Sequence, residues 1–384
     1  MKILKVTAVI VFALFMGACK AETKKEVALM QPEVETEIVK DQFIKVALLL
    51  DTSNSMDGLI DQAKAQLWEI VNELSYAKCR GERPKLEIAL YEYGNDRLSK
   101  RDGYIRKILG FTNDLDDVSK ELFSLTTNGG SEYCGAVIQA SLTDLDWGNT
   151  DDDLKMIFIA GNEPFTQGKI NYKDAIANAK KKDVVVNTIF CGKHEQGIDT
   201  YWKDGATFSY GDYISINHNR ETIHIASPYD DIILQLNVRL NNTYVPYGRK
   251  GRSKMANQSV QDENAAGYSK ANAVSRTVSK GSHLYKNSSW DLVDAEEEES
   301  FSYDELKKED LPEELQDKST KELRNHVENI RNERASIKEE IAQQNVKRKD
   351  FIADKKTESG NGLEAAMITA LKRQASKKNY EWDN

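Results

Sequence analysis

The sequence predicts an α/β protein: a doubly wound, mostly parallel sheet with helices on both faces, followed by a helical, partly coiled-coil extension. Three observations lead there. Short apolar runs alternate with segments of helical spacing between Gln42 and Tyr247, the pattern of strands joined by crossover helices. The first run, Phe43 to Leu50, is apolar apart from Lys45, which suits a strand buried on both faces. Beyond Gly248 the chain turns polar, and apolar residues return later at 4-3 spacing.

Taken in order, Leu59, Ala63, Leu67, Ile70, Val71 and Leu74 mark one face of a helix. Leu86 to Tyr93 reads as a second strand, and Asp114 to Leu125 as a short helix with Asp114 at its N-cap. Cys134 to Leu142 is helical, Lys155 to Ala160 a third strand, Tyr172 to Lys181 a helix and Val184 to Cys191 a fourth strand. Tyr213 to Ile216 and Pro228 to Leu240 complete the pattern as strand and helix. Residues 248–310 read as an irregular linker, rich in Ser, Asn, Lys and Gln in its first part. In the tail, 311–384, Leu323, Val327, Ile330, Ile337, Ile341 and Phe351 form an amphipathic seam interrupted by Arg334, Gln344 and Arg348. Leu363 to Ala375 is a last helix after Gly360-Asn361-Gly362. In a sheet of this kind ligands bind beyond the carboxyl ends of the strands, so the informative loops follow residues 50, 93, 160 and 191.

The amino terminus reads as an address. Lys2 and Lys5 precede an apolar run, Val6 to Met16, that is too short to span a bilayer. Phe15-Met16-Gly17-Ala18-Cys19 resembles the lipobox of bacterial lipoproteins, in which cleavage precedes the Cys and its thiol receives a lipid. The resemblance implies a signal peptide over 1–18, a lipid on Cys19 and a Lys/Glu-rich tether over 19–41. It places the chain in the cell envelope, lipid-anchored at an outer membrane, on the periplasmic or the surface face. Loss of residues 1–18 would remove Lys2 and Lys5 and take the formal charge from −9 to −11. So acidic a chain is a poor fit to nucleic acid, whose phosphates need clustered Lys and Arg.

Cys79, Cys134 and Cys191 remain, without zinc-ligand spacing, and the five histidines are scattered. Cys134 and Cys191 are expected on the same rim, where a bridge between them would leave Cys79 unpaired.

The loop that carries chemistry follows the first strand: Asp51-Thr52-Ser53-Asn54-Ser55-Met56. It places one carboxylate and two hydroxyls on the same side of a tight turn, and hard divalent cations take oxygen ligands. Strand, Asp-x-Ser-x-Ser loop and helix resemble the metal-ion-dependent adhesion site of von Willebrand factor A domains. The resemblance covers roughly residues 42–245 of an expected domain over 42–247, and implies Mg2+, Mn2+ or Ca2+ held by Asp51, Ser53 and Ser55. It implies a further hydroxyl after a Gly-Gly pair, here Ser131 behind Gly129-Gly130, and an Asp after the next buried strand. Gly161 stands where that Asp belongs, so Glu163 is the expected substitute, with Asn162, Glu132 and Asp57 as alternatives. The strings 90–96, 129–138 and 161–168 are similar to a subgroup of bacterial A-domain proteins, a likeness that names no ligand. Tyr91, Tyr93, Tyr133 and Phe165 are candidates for an aromatic rim suited to a protein or glycan.

The expected function is metal-assisted binding of a protein partner in the envelope, without catalysis. A hydrolase using Cys134, with His194 and Glu195 beside it or with a metal-bound water, is the alternative in another class. A structural scaffold with a vestigial metal site is the third. The sequence holds no Ser/His/Asp pattern, HExxH motif or phosphate loop.

Overall fold

A computed structural model describes residues 41–219, 225–355 and 363–382. The expected signal peptide, the Cys19 lipidation site and nearly all of the tether lie outside the described residues. Six strands form the main sheet: β1 (Phe43–Asp51), β3 (Lys85–Tyr93), β4 (Ile105–Thr112), β5 (Leu154–Gly161), β6 (Val185–Cys191) and β7 (Tyr213–Ile216). The spatial order is β4-β3-β1-β5-β6-β7. Every pairing is parallel except β3 with β4, so the sheet is doubly wound with one antiparallel edge. Chain order reverses at β1, which puts a topological switch point at its carboxyl end.

The period of two along β1 divides its side chains between two cores. Ile44, Val46 and Leu50 join a cluster on one face, with α1 (Asp57–Leu74) and α2 (Leu115–Ser124). Ala47 and Leu49 join the other, with α3 (Cys134–Asp144) and α4 (Tyr172–Lys181). Burial on both faces is why the strand reads as a continuous apolar run. Lys45 is tolerated because its ammonium reaches the Asp146 carbonyl at 2.9 Å and Glu87 at 3.4 Å. Asp114 caps α2 as expected, accepting the backbone N–H groups of Asp116 and Asp117. Between β6 and β7 lie α5 (His194–Asp199) and α6 (Trp202–Phe208), and α7 (Asp230–Asn241) follows β7.

The segment 248–310, expected as an irregular linker, instead contains α8 (Gly251–Tyr268), α9 (Lys270–Gly281) and α10 (Leu292–Ala295). α8 and α9 lack a broad apolar stripe because they dock largely through buried polar groups. Arg276 of α9 donates to Asp116 of α2 at 2.8 Å and to Asp262 of α8 at 2.6 Å. Lys280 joins Asp262 at 3.0 Å, and Asn72 of α1 donates to the Ser275 carbonyl at 2.9 Å. A buried charge persists only where it is paired, and here both the acids and the bases are.

The long helix α11 (Thr320–Lys355) is present, and its seam packs on this chain's own helices. Ile337 and Ile341 enter the main core, and Leu323 and Val327 a smaller one with Leu292, Val293 and Leu315. The arginines that interrupt the seam are anchors. Arg334 donates to Asp291 at 2.6 Å and Asp294 at 2.8 Å, and Arg348 donates to Asp230 at 3.0 Å. Finally α12 (Leu363–Ala375) lays Ala366, Met367, Ala370 and Leu371 into the core beside α1. The two-stranded sheet of β2 (Ala77–Cys79) and β8 (Tyr380–Trp382) ties the end of the chain down. No described helix is long and apolar enough to cross a membrane.

Candidate cation site

Asp51 closes β1 opposite Tyr93 of β3, fully buried. Its Oδ1 accepts the backbone N–H of Ser53 at 2.8 Å, which bends the chain into the loop before α1. The Ser53 and Ser55 hydroxyls lie 3.4 Å apart, and Asn162, in the loop after β5, donates to the Ser55 hydroxyl at 3.0 Å. Neighbouring loops are tied to this turn: Thr52 N–H donates to the Tyr93 carbonyl and Asn128 N–H to the Thr52 carbonyl, each at 2.9 Å. Asp51 Oδ2 has no hydrogen-bond partner.

The second carboxyl group at this point is Glu132, between Ser131 and α3. It is 5% exposed, and its Oε2 also has no partner. Gly94 makes the approach possible. It adopts φ +78°, and a Cβ there would stand 2.7 Å from Glu132 Cγ and 2.8 Å from Asp51 Oδ1, so only glycine fits. Burial pushes the Asp51 carboxyl up to about 6, against hydrogen bonds from Glu132 and Ser53 that pull it down. Burial first, and then the charge of Asp51, pushes Glu132 up to about 9. Two buried carboxylates in contact cannot both ionise unless a cation separates them or a proton is shared. The donor set therefore fits a hard divalent ion: two carboxyl groups with free oxygens beside two hydroxyls. Among the described residues no group of three or more His, Cys, Asp or Glu is arranged to hold a metal, so any ion here depends on the serines.

Gly161 is the departure from the adhesion-site pattern, and its surroundings explain it. A Cβ at 161 would meet the Tyr93 hydroxyl at 2.6 Å and Asp51 Oδ2 at 3.0 Å. Tyr93 fills the space an Asp would need, and its hydroxyl donates to the Ala160 carbonyl at 2.9 Å.

Of the expected ligands, the structure brings Asp51, Ser53 and Ser55 together. Ser131 is half-buried beside Glu132, and its hydroxyl makes no hydrogen bond to the Asp51 loop among the described residues. Glu163 is exposed and accepts from Gln167 at 3.0 Å, adding its charge to the site from outside. Asp57 is taken by a short hydrogen bond from Thr127. Two expectations need correction. Cys134 and Cys191 are both buried free thiols, so no bridge joins them. Tyr91, Tyr93 and Phe165 are wholly buried, which leaves Tyr133, half-buried against Tyr104, as the rim aromatic of the expected four. Packing claimed the other three because each lies in the core cluster shared with α3 or α4.

No family model and no curated protein matches the chain. Among solved structures it is similar to the conserved hypothetical protein BatB from Bacteroides thetaiotaomicron, at 15% identity, with 45% of this chain and 90% of that one covered and a TM-score of 0.34. It is similar to the VWA domain of SpRpn10 at 16% identity, covering 45% and 87%, TM-score 0.32. A third is proximal thread matrix protein 1 from the mussel byssus, with a zinc-occupied adhesion-site motif. There the identity is 13%, the coverage 47% of this chain and 43% of that one, and the TM-score 0.36. The strand order and the loop at the end of β1 carry the assignment. The fold is a doubly wound, mostly parallel sheet with flanking helices.

The thiol of Cys134 lies under this site, 3.9 Å from the Tyr93 hydroxyl. Burial pushes its pKa well above the usual thiol range, the opposite of an activated nucleophile. His194 is spoken for elsewhere, its Nδ1 3.4 Å from the Ser215 hydroxyl.

Proposed function

We propose that this chain is a non-catalytic binding module of the cell envelope, lipid-anchored through Cys19. It holds a divalent cation, Mg2+, Mn2+ or Ca2+, at Asp51, Ser53 and Ser55 and uses it to grip a protein partner. The observation that supports this reading most is the unpartnered Oδ2 of Asp51, a wholly buried carboxylate beside two hydroxyls at the switch point of the sheet. Leaving such a group unsatisfied costs several kcal/mol in order of magnitude, so something absent from the bare chain is expected to neutralise it. When bound, the ion would supply a positive centre for an oxygen anion of the partner. Asp51 would hold it, Ser53 and Ser55 would orient it, and Asn162 would fix the Ser55 hydroxyl. Against turnover stands the sheltered Cys134 thiol, which burial and the neighbouring Asp51 and Glu132 charges push away from the reactive thiolate form.

Melting curves of wild type and Asp51→Ala with Mn2+ or EDTA test the cation. A ligand that binds only the folded state raises the melting point, so wild type is expected to gain with Mn2+ and the variant not. Identical curves under all conditions would leave a scaffold with a vestigial site. Crosslinking in intact cells tests the partner: a product formed with Mg2+ and lost in Asp51→Ala is expected, and cation-independent products would contradict it.

A further inference from the structure

We infer that Glu132, and not Glu163, supplies the second anionic ligand of the cation, taking over the charge that Gly161 lacks. This assignment rests on the cation reading above and deepens it. The other buried acids among the described residues are provided for. Glu92, Asp116, Asp230, Asp291 and Asp294 each contact an arginine, at 2.5–3.0 Å. Asp153 accepts the backbone N–H of Phe43 at 3.0 Å. Asp51 and Glu132 differ: each leaves a buried oxygen without a donor, and neither is paired with a Lys, Arg or His among the described residues. They also face one another, each within hydrogen-bonding reach of the other and of Ser53. One unmet carboxyl group in a core is an anomaly; two in contact with one another and with the Ser53 hydroxyl form a socket for a cation.

The rest of the geometry accounts for the exchange of ligands. No side chain fits at 161, because the Tyr93 hydroxyl and Asp51 Oδ2 already occupy the space. On the other side of Asp51, Gly94 has no Cβ to keep Glu132 away. Tyr93 is thus a positioning residue: it closes one approach to Asp51 while Gly94 leaves the other open. Glu163 is solvated and engaged with Gln167.

The test is a Mn2+ titration of the full chain, with free Mn2+ counted by electron paramagnetic resonance, alongside melting in EDTA. Wild type is expected to bind one ion. Glu132→Gln is expected to weaken binding at least tenfold while the metal-free protein still melts cooperatively. Glu163→Gln is expected to change affinity less than threefold. Full affinity in a cooperatively folded Glu132→Gln, or loss of binding in Glu163→Gln, would overturn the assignment and leave the cation site standing. No binding by wild type would remove the site itself. Should Glu132→Gln fail to fold, Glu132→Asp keeps the test: a partial loss supports the assignment, and unchanged affinity overturns it.

Discussion

Replacing Gly161 by Ala probes the crowding beneath the site. The new methyl would stand 2.6 Å from the Tyr93 hydroxyl and 3.0 Å from Asp51 Oδ2, well inside ordinary contact distance. Overpacking of this size costs about 1–3 kcal/mol. Tyr93→Phe removes the nearest obstacle and loses the 2.9 Å bond to the Ala160 carbonyl, a cost of about 0.5–1.5 kcal/mol. In the double variant the methyl takes part of the space the hydroxyl leaves. The two losses should therefore fall short of their sum by about 1 kcal/mol or more, within the range of contacting residues. Urea denaturation of the four proteins in EDTA measures the coupling. Additive losses would show that Tyr93 does not exclude a side chain at 161, and that argument would fail.

Further outcomes follow from the same structure. The folded-state pKa values of Asp51, about 6, and Glu132, about 9, lie above the ordinary carboxylate range. Their contribution is then full below about pH 4 and is lost as pH rises through the two folded values. In EDTA, wild type should lose urea resistance relative to Glu132→Gln between about pH 5 and 9, and saturating Mg2+ should abolish the difference; parallel curves in EDTA would contradict the pairing. Arg334→Ala leaves Asp291 and Asp294 buried without their cation, a loss of about 3–5 kcal/mol; an unchanged urea midpoint would show that α11 is not anchored there. Ending the chain after Lys355 removes α12 and β8, whose Met367, Leu371 and Tyr380 belong to the main core, so cooperative unfolding should be lost; a native-like melt would show that the core does not need them.

The sheet was largely legible because its central strands obey one rule, apolar on both faces, and its helices α1 and α4 another, an apolar stripe; the edge strand β4, with Arg106 and Lys107 exposed, was not anticipated. The polar half of the fold obeys neither. The buried faces of α8 and α9 include Gln258, Gln261, Asn272, Ser275, Arg276 and Lys280, residues that look like surface until their partners on α1, α2 and α7 are seen. Arg334 and Arg348 read as flaws in a coiled-coil seam for the same reason. In the site, Asp51, Ser53 and Ser55 were readable because they are close in sequence and follow a strand. Glu132 stood only among the alternatives, since nothing local tells a buried carboxylate from a solvated one; its signal was a glycine, Gly94, in a different loop. The aromatic rim failed where alternation would have warned: Tyr91 and Tyr93 share the β3 face of Ala89, and all three lie in the α3 and α4 core.

Anomalous scattering from crystals grown with Mn2+ tests the central claim most directly. The expected result is one strong peak about 2.0–2.6 Å from carboxylate oxygens of Asp51 and Glu132 and a serine hydroxyl of the same loop. A structure at saturating Mn2+ with no peak there, and the two carboxyl groups joined only by a proton, would contradict it.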